Sequence, residues 1–145
     1  MGKVNVQDEM AISRMQDIED AVDAMVLDSL DPATGRAKGT GITHDWTISS
    51  QIAKKSKVRI MLAGGLNSNN VRQDITTVQP WVMDVHSSIE TPDGQKNHGP
   101  IALFLKEVFS ASQNWGFPLA PGFFLDDKKT LDNFLIFCTI LSIHF

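Results

Sequence analysis

The chain has 145 residues, a formal net charge of −4 and 42% hydrophobic residues, which suits one globular domain with an ordinary core. The slightly acidic balance, without a Lys/Arg stripe, argues against a nucleic-acid surface. A single cysteine, Cys138, excludes an internal disulfide framework and a thiolate metal site.

The histidines and the apolar tail exclude further classes. None of the four histidines has metal-ligand spacing, so we predict neither a zinc site nor a cofactor. The start of the chain is polar and lacks a secretory h-region, and the apolar run at 134–145 is too short to span a bilayer. We therefore expect a cytoplasmic or organellar protein without a membrane partner.

The first predicted elements are a short strand, a helix and a second strand. A strand at residues 3–6 precedes a helix over 8–21, where apolar residues recur at helical spacing. Residues 23–28 then form an apolar strand that ends on Asp28. Carboxylates at the carboxyl ends of barrel strands are frequently catalytic, so Asp28 is a candidate; the alternative is that it begins a polar loop.

A Gly- and Thr-containing connection follows at residues 30–41. It either closes over a ligand or simply connects two elements. Residues 42–46 are interpreted as another short strand, with a helix after them through Ala53. His44, in this segment, either acts on a substrate or has a structural role.

The next stretch predicts a strand, a helix and a strand. The apolar run at 58–63 is short and is closed by glycines, as in a strand of a parallel sheet that is buried on both faces. A helix capped by Asn67 or Ser68 follows, Pro80 ends it, and residues 81–85 form the second strand. This order predicts parallel strands with a right-handed crossover.

Both of these strands end in small residues, which suggests a phosphate site. Gly64 and Gly65 allow backbone N–H groups to approach a ligand, and Ser87 and Ser88 offer hydroxyls and amides. Ligands of parallel α/β folds lie at the carboxyl ends of strands. The alternative is that the glycines only turn the chain and the serines are solvated.

The remaining chain divides into a last helix and a tail. Pro100 is placed to open a helix that continues through Val108. Residues 113–145 show no clear period, so a packed helix, an edge strand and an ill-ordered appendage all remain open. We expect one partial barrel domain at 1–112 and an unmatched apolar tail at 113–145.

Five ordered motifs resemble the phosphoribosylanthranilate isomerase family over about residues 4–108. They are VDAMVLDS (Val22–Ser29), GTGITHDW (Gly39–Trp46), IMLAGGLNSNNV (Ile60–Val71), VMDVHSSIE (Val82–Glu90) and DGQKNHGPI (Asp93–Ile101). The resemblance implies an α/β fold: the carboxyl-terminal part of a parallel (β/α)₈ TIM barrel, with about five βα units here. It also implies an aldose-ketose isomerase of tryptophan biosynthesis, which rearranges N-(5-phosphoribosyl)anthranilate by Amadori chemistry.

The resemblance assigns roles to particular residues. Asp28 matches the family's general acid, and Asp84 matches a polar position that orients ribose hydroxyls. Gly64, Gly65, Ser87 and Ser88 match the phosphate-binding loops, so the expected ligand is a small sugar phosphate.

Two departures from the family pattern limit what the chain is expected to do. The family's base is a cysteine in a K-I-C-G segment that this chain lacks, and Cys138 lies in the tail, so the role is not transferred to it. Ser88 stands where glycine is usual, which predicts a narrowed loop or a strained backbone. We expect a fragment that is inactive alone; the alternative is a non-catalytic half-barrel that self-associates, joins a chain supplying the missing strands, or binds sugar phosphates.

Overall fold

The structure, a computed structural model, describes residues 1–6, 10–29 and 43–112. The strands are β1 (Gly2–Asn5), β2 (Ala24–Asp28), β3 (Arg59–Leu62) and β4 (Val82–Met83). The helices are α1 (Met10–Ile18), α2 (Trp46–Lys55), α3 (Val71–Val78) and α4 (His98–Ser112), with short 3₁₀ helices at Glu19–Ala21 and Ser87–Ile89.

The four strands form one parallel sheet in the order β1-β2-β3-β4. Leu27 pairs with Leu62, and Leu62 pairs with Met83. Backbone bonds extend the ladder past the strand ends, with Ala63 N donating to Leu27 O at 2.8 Å and Asp84 N to Leu62 O at 2.8 Å. The predicted parallel partial barrel is therefore confirmed, and the carboxyl ends of its strands lie at one edge.

The helices cover one face of this sheet, and the alternate strand residues that point to this face are apolar. Period-two alternation places Met25 and Leu27 on the same face, and α1 and α2 contribute Met15 and Ile52 to the same core. The buried members of this core cluster are Val4, Val6, Ala11, Met15, Met25, Leu27, Ile52, Ile60, Leu62 and Val78. The side chains of the opposite face include Val26, Met61 and Ala63, which form a smaller buried cluster.

A second core lies between α3 and α4. Its buried side chains are Leu66, Val71, Ile75, Val85, Ile89, Ile101, Phe104, Leu105 and Ala111. The predicted last helix is present and begins at His98, so that Pro100 stands in its first turn, where a missing N–H costs no helical hydrogen bond. The segment after the second phosphate-loop candidate is thereby packed against the rest of the domain.

The predicted strand at residues 42–46 is wrong for the part that the structure describes. Thr43 to Asp45 has no regular structure, and Trp46 already begins α2. Asp45 is the N-cap, since its Oδ1 accepts from Thr47 N at 2.8 Å. The cap formed by Asp45 starts a helix at Trp46, so the segment does not continue as a strand.

Other predictions fall outside the described ranges or concern membranes. The connection at 30–42 and the tail at 113–145, including Cys138, lie outside the described residues. Within the described ranges, no helix has both the length and the apolar content that a bilayer crossing requires.

Candidate active site

Asp28 stands at the carboxyl end of β2, where two donors hold its carboxylate. Lys3 Nζ donates to Asp28 Oδ2 at 2.7 Å, and Ser29 N donates to Asp28 Oδ1 at 2.8 Å. The side chain is 16% exposed. The predicted acid is therefore at the rim of the sheet, in a fixed orientation and within an ion pair.

Asp84 lies level with Asp28 across the sheet. The register that pairs Leu27 with Leu62 and Met83 places Asp28, Ala63 and Asp84 one residue further along their strands. Burial raises the pKa of the Asp84 carboxyl, and the negative charge of Asp28 acts in the same direction. The two carboxylates therefore share one electrostatic environment, with the small side chain of Ala63 between their strands.

The Gly64–Gly65 turn follows β3 in a conformation that needs glycine. Gly64 has a φ of 93° and Gly65 a φ of 65°. A Cβ on Gly64 would lie 2.7 Å from Ser29 N and 2.8 Å from Ser29 Cβ, so the turn is pressed against the residue after Asp28. The amides of Asn67 and Asn70 donate to Gly65 O at 3.2 and 2.9 Å, which holds the turn in place.

The Ser87–Ser88 turn is bonded directly to the segment that follows the glycines. Ser88 Oγ donates to Leu66 O at 2.5 Å, so the two predicted phosphate loops adjoin. Of the described non-glycine residues, Gln79 alone has a positive φ. The expected backbone strain at Ser88 is therefore absent, and its hydroxyl proton is used to join the loops.

Charged side chains that are not among the predicted site residues lie close to the Ser87–Ser88 turn. Lys96 Nζ lies 2.8 Å and His86 Nδ1 3.0 Å from Glu90 Oε1. Glu90 and Lys96 are also paired in an antiparallel bridge. The run Thr91-Pro92-Asp93-Gly94 between them has turn-forming residues and was a usable signal, since a tight turn brings its flanking residues together.

His44 lies half-buried beside the acid, and each of its ring nitrogens makes a hydrogen bond. Its Nδ1 is 2.9 Å from Ser29 Oγ and its Nε2 is 2.5 Å from Ser49 Oγ. Burial lowers the pKa of His44 to about 4, against the attraction of Asp28 and Asp45, so the ring is neutral at pH 7. Both ring nitrogens are occupied by the protein, which favours the structural role over direct action on a substrate.

The structure thus brings Asp28, Asp84 and both predicted loops to one edge of the sheet. A shallow cavity of about 250 Å³ lies elsewhere, lined by residues 43–47, Gln73 and Thr77. His44 lines that cavity, whereas Asp28, Asp84 and the two predicted phosphate loops do not. In the part of the chain that the structure describes, no group of three His, Cys, Asp or Glu side chains is placed to hold a metal ion.

Comparisons with known proteins agree on one family. The family profile N-(5'phosphoribosyl)anthranilate (PRA) isomerase matches residues 2–107. The N-(5'-phosphoribosyl)anthranilate isomerase of Haloferax volcanii is 36% identical over 111 residues, which cover 77% of this chain and 49% of that protein. An isomerase of Methanosarcina mazei is 37% identical over 94 residues, covering 65% of this chain and 42% of the relative.

Solved structures give the same result for the fold. The phosphoribosyl anthranilate isomerase of Thermotoga maritima superposes with a TM-score of 0.62 and 31% identity, over 74% of this chain and 50% of that one. Another isomerase of this kind, solved in complex with reduced 1-(O-carboxyphenylamino)-1-deoxyribulose 5-phosphate, gives 0.58 and 27% identity. The chain spans about half the length of the relatives it matches.

Proposed function

The chain belongs to the phosphoribosylanthranilate isomerase family, and on that premise we propose that it supplies the acid and the phosphate-binding loops for the isomerisation of N-(5'-phosphoribosyl)anthranilate. The substrate class is a small sugar phosphate that carries an arylamine. Gly64, Gly65, Ser87 and Ser88 would receive the phosphate, Asp84 would orient the ribose hydroxyls, and Asp28 would act as the general acid.

The proposed reaction is an Amadori rearrangement. Asp28 protonates the furanose ring oxygen as the bond from that oxygen to C1 breaks, which leaves a Schiff base between C1 and the anthranilate nitrogen. A base then removes the proton on C2, giving an enolamine that tautomerises to the aminoketose. Acid and base steps of this kind each contribute about 10²- to 10⁴-fold to a rate.

One observation carries the proposal: at one edge of the sheet, the residue after the acid adjoins the first loop, and the first loop adjoins the second. Gly64 presses on Ser29, which follows the acid. Ser88 bonds to Leu66, which follows the glycines. A ligand whose phosphate rests on these loops would place its ribose over the edge that carries Asp28 and Asp84.

The base is the component that we assign to no described residue. The family resemblance gives this role to a cysteine in a K-I-C-G segment, and the one cysteine of the sequence, Cys138, is in an unmatched run outside the described residues. We propose that the complete acid–base pair forms when strands that carry such a cysteine close the barrel against this chain.

Titration with reduced 1-(O-carboxyphenylamino)-1-deoxyribulose 5-phosphate, an analogue of the product, tests the assignment of the phosphate loops. Isothermal calorimetry on the 145-residue chain should detect binding, and Gly65→Val should weaken it at least tenfold because a side chain would fill the approach to the backbone amides. Gly94→Val is the matched control: Gly94 also has a positive φ, of 81°, but no atom of the described part of the chain lies within 4 Å of an added Cβ. We expect this control to bind as the wild type does.

Two results would contradict the assignment of the phosphate loops. One is unchanged affinity in Gly65→Val, and the other is an equal loss in the Gly94→Val control, which would reflect backbone strain in place of a blocked site. Absence of binding by the wild-type chain at millimolar analogue would contradict the proposed function as a whole.

The alternative function is a non-catalytic half-barrel that binds sugar phosphates and associates with itself. The ion pair of Lys3 with Asp28 favours it, since a carboxylate neutralised by an ammonium 2.7 Å away suits a structural role at the rim. The two functions predict different results when the strands that close the barrel are supplied. The proposed function predicts isomerisation, and the alternative predicts none.

A further inference from the structure

Ser29 is the residue through which the acid contacts the rest of the site. Its N–H donates to Asp28 Oδ1 at 2.8 Å, its Oγ lies 2.9 Å from His44 Nδ1, and a Cβ on Gly64 would overlap it. Ser29 is 1% exposed. Because β2 ends at Asp28, the direction of this N–H depends on what holds the Ser29 side chain.

His44 is suited to hold the Ser29 side chain because its ring keeps the same charge. A neutral imidazole has one donor and one acceptor, and the hydroxyls of Ser29 and Ser49 use both. The acidic groups that face the ring are Asp28 and Asp45, and burial outweighs their attraction. The ring therefore stays neutral over the pH range of most enzymes.

The other end of this chain of hydrogen bonds is anchored in a helix. Ser49 is fully buried within α2. The same helix is tied to α3 by Ser50 Oγ, which donates to Thr77 O at 2.7 Å. His44 thus connects the residue after the acid to a rigid helical layer, not to another loop.

We infer that His44 is a positioning residue for the acid: by holding Ser29 between α2 and Gly64, it fixes the N–H that orients the Asp28 carboxylate. It does not contact the substrate. Without it the Asp28 carboxylate keeps only its ion pair with Lys3, and the acid and the Gly64 turn lose their common support. The inference deepens the proposed function and rests on it for the importance of Asp28, whereas the contact that it predicts is measurable without substrate.

Two conservative variants separate the two hydrogen bonds of the ring. The amide of His44→Asn reaches the place of Nδ1 and should keep the bond to Ser29. The amide of His44→Gln reaches the place of Nε2 and should keep only the bond to Ser49. Both variants are neutral amides of similar polarity, so they differ mainly in which serine they hold.

The readout is the amide chemical shift of Ser29 in the ¹⁵N-labelled 145-residue chain as the pH is lowered. In the wild type this N–H reports the protonation of the carboxylate to which it donates. His44→Asn should retain the pH-dependent shift, and His44→Gln should lose at least half of its amplitude. Ser29→Ala, which keeps the N–H but removes the hydroxyl, should behave like His44→Gln.

A full wild-type amplitude in both His44→Gln and Ser29→Ala would overturn the inference, as would a loss of amplitude in His44→Asn equal to that in His44→Gln. Amide shifts of β3 and β4 report folding, and if His44→Gln does not fold, the Ser29→Ala result alone decides. Failure of the proposed function would appear separately, as absent binding of the product analogue with the Ser29 amide titration intact.

Discussion

At the residue scale, Asp74 is the carboxyl group that the proposed function does not use. It lies fully buried on α3, and neither of its oxygens has a hydrogen-bond partner among the residues that the structure describes. Burial raises the pKa of Asp74 to about 7. A charged carboxylate that is buried without a partner destabilises the fold, and this destabilisation is avoided at acidic pH because the Asp74 carboxyl is protonated there.

We predict that Asp74→Asn stabilises the protein at pH 8 much more than at pH 5. Because the folded pKa is above the unfolded value of about 3.9, the protonated carboxyl favours the fold below pH 4, and this stability is lost as the pH rises through 7. With about 1.4 kcal/mol per pKa unit, the difference between the two pH values is on the order of 3 kcal/mol. Urea unfolding at pH 5 and pH 8 measures it.

Asp17→Asn serves as the control, since Asp17 is an exposed carboxylate of α1. Its free energy of unfolding should change by no more than about 0.5 kcal/mol at either pH. Equal effects of Asp74→Asn at both pH values would show that Asp74 carries its charge throughout, and that it has a partner in solution.

Some candidate site residues could be predicted from the sequence because they belong to local patterns, and others could not because they depend on contacts between distant residues. Gly64 and Asp28 were found because a strand end and a glycine pair are local patterns. Lys3 was not found because its contact with Asp28 depends on the register of two strands 25 residues apart. Ser29 and His44 were not predicted as a pair because they are 15 residues apart in the sequence and no local pattern joins them.

At the element scale, the end of α3 carries a strained cap. Gln79 is the C-cap of this helix and has left-handed dihedral angles, φ 57° and ψ 54°. Its N–H donates to Ile75 O at 3.1 Å. Glycine is the usual residue in this conformation because a Cβ is unfavourable there.

Gln79→Gly should therefore stabilise the protein by roughly 0.5 to 1 kcal/mol, since the strain relieved in the fold exceeds the entropy gained by the unfolded chain. Thermal or urea unfolding at pH 5, where Asp74 is protonated, checks it. Gln73→Gly, in the interior of the same helix, is the matched control and should destabilise by about 1 kcal/mol. A loss of stability in both variants would mean that Gln79 leaves the left-handed region in solution.

The elements themselves were predictable where the hydrophobic period was clear. The run at 58–63 and the spacing of Val71, Ile75 and Val78 predict β3 and α3 in the observed order, but the predicted cap at Asn67 or Ser68 is wrong because the N-cap is Asn70. The error at 42–46 came from a short segment in which the N-cap Asp45 and the first helical residue, Trp46, imitate an alternating strand. Periodicity over so few residues does not separate a strand from a helix start.

At the scale of the whole molecule, the described sheet has four parallel strands. An eight-stranded barrel of this fold needs four more, and catalytic residues of such barrels come from the ends of several different strands. The rim formed here contains the proposed acid and phosphate loops. The base of the proposed reaction would have to be carried by the strands that close the barrel.

The last prediction is that the purified 145-residue chain shows no measurable isomerisation of phosphoribosylanthranilate, although it binds the product analogue. Turnover should appear when a separately produced polypeptide with the cysteine-bearing strands of a relative is added. The rate should reach a maximum as the concentration of that polypeptide rises, because turnover requires the two polypeptides to associate. The rate is measured from the decrease in substrate fluorescence, at increasing concentrations of the added polypeptide.

Asp28→Asn decides whether such turnover uses the proposed acid, because the amide keeps the shape of the carboxylate but has no proton to donate to the ring oxygen. The restored rate should fall by about 10²-fold or more, the usual contribution of a general acid. Turnover by the 145-residue chain alone that disappears in Asp28→Asn would show that a base is already present within it. A restored rate that is indifferent to Asp28→Asn would remove Asp28 from the mechanism, and Asp84, the other carboxyl group at the same height of the sheet, would then become the residue to replace.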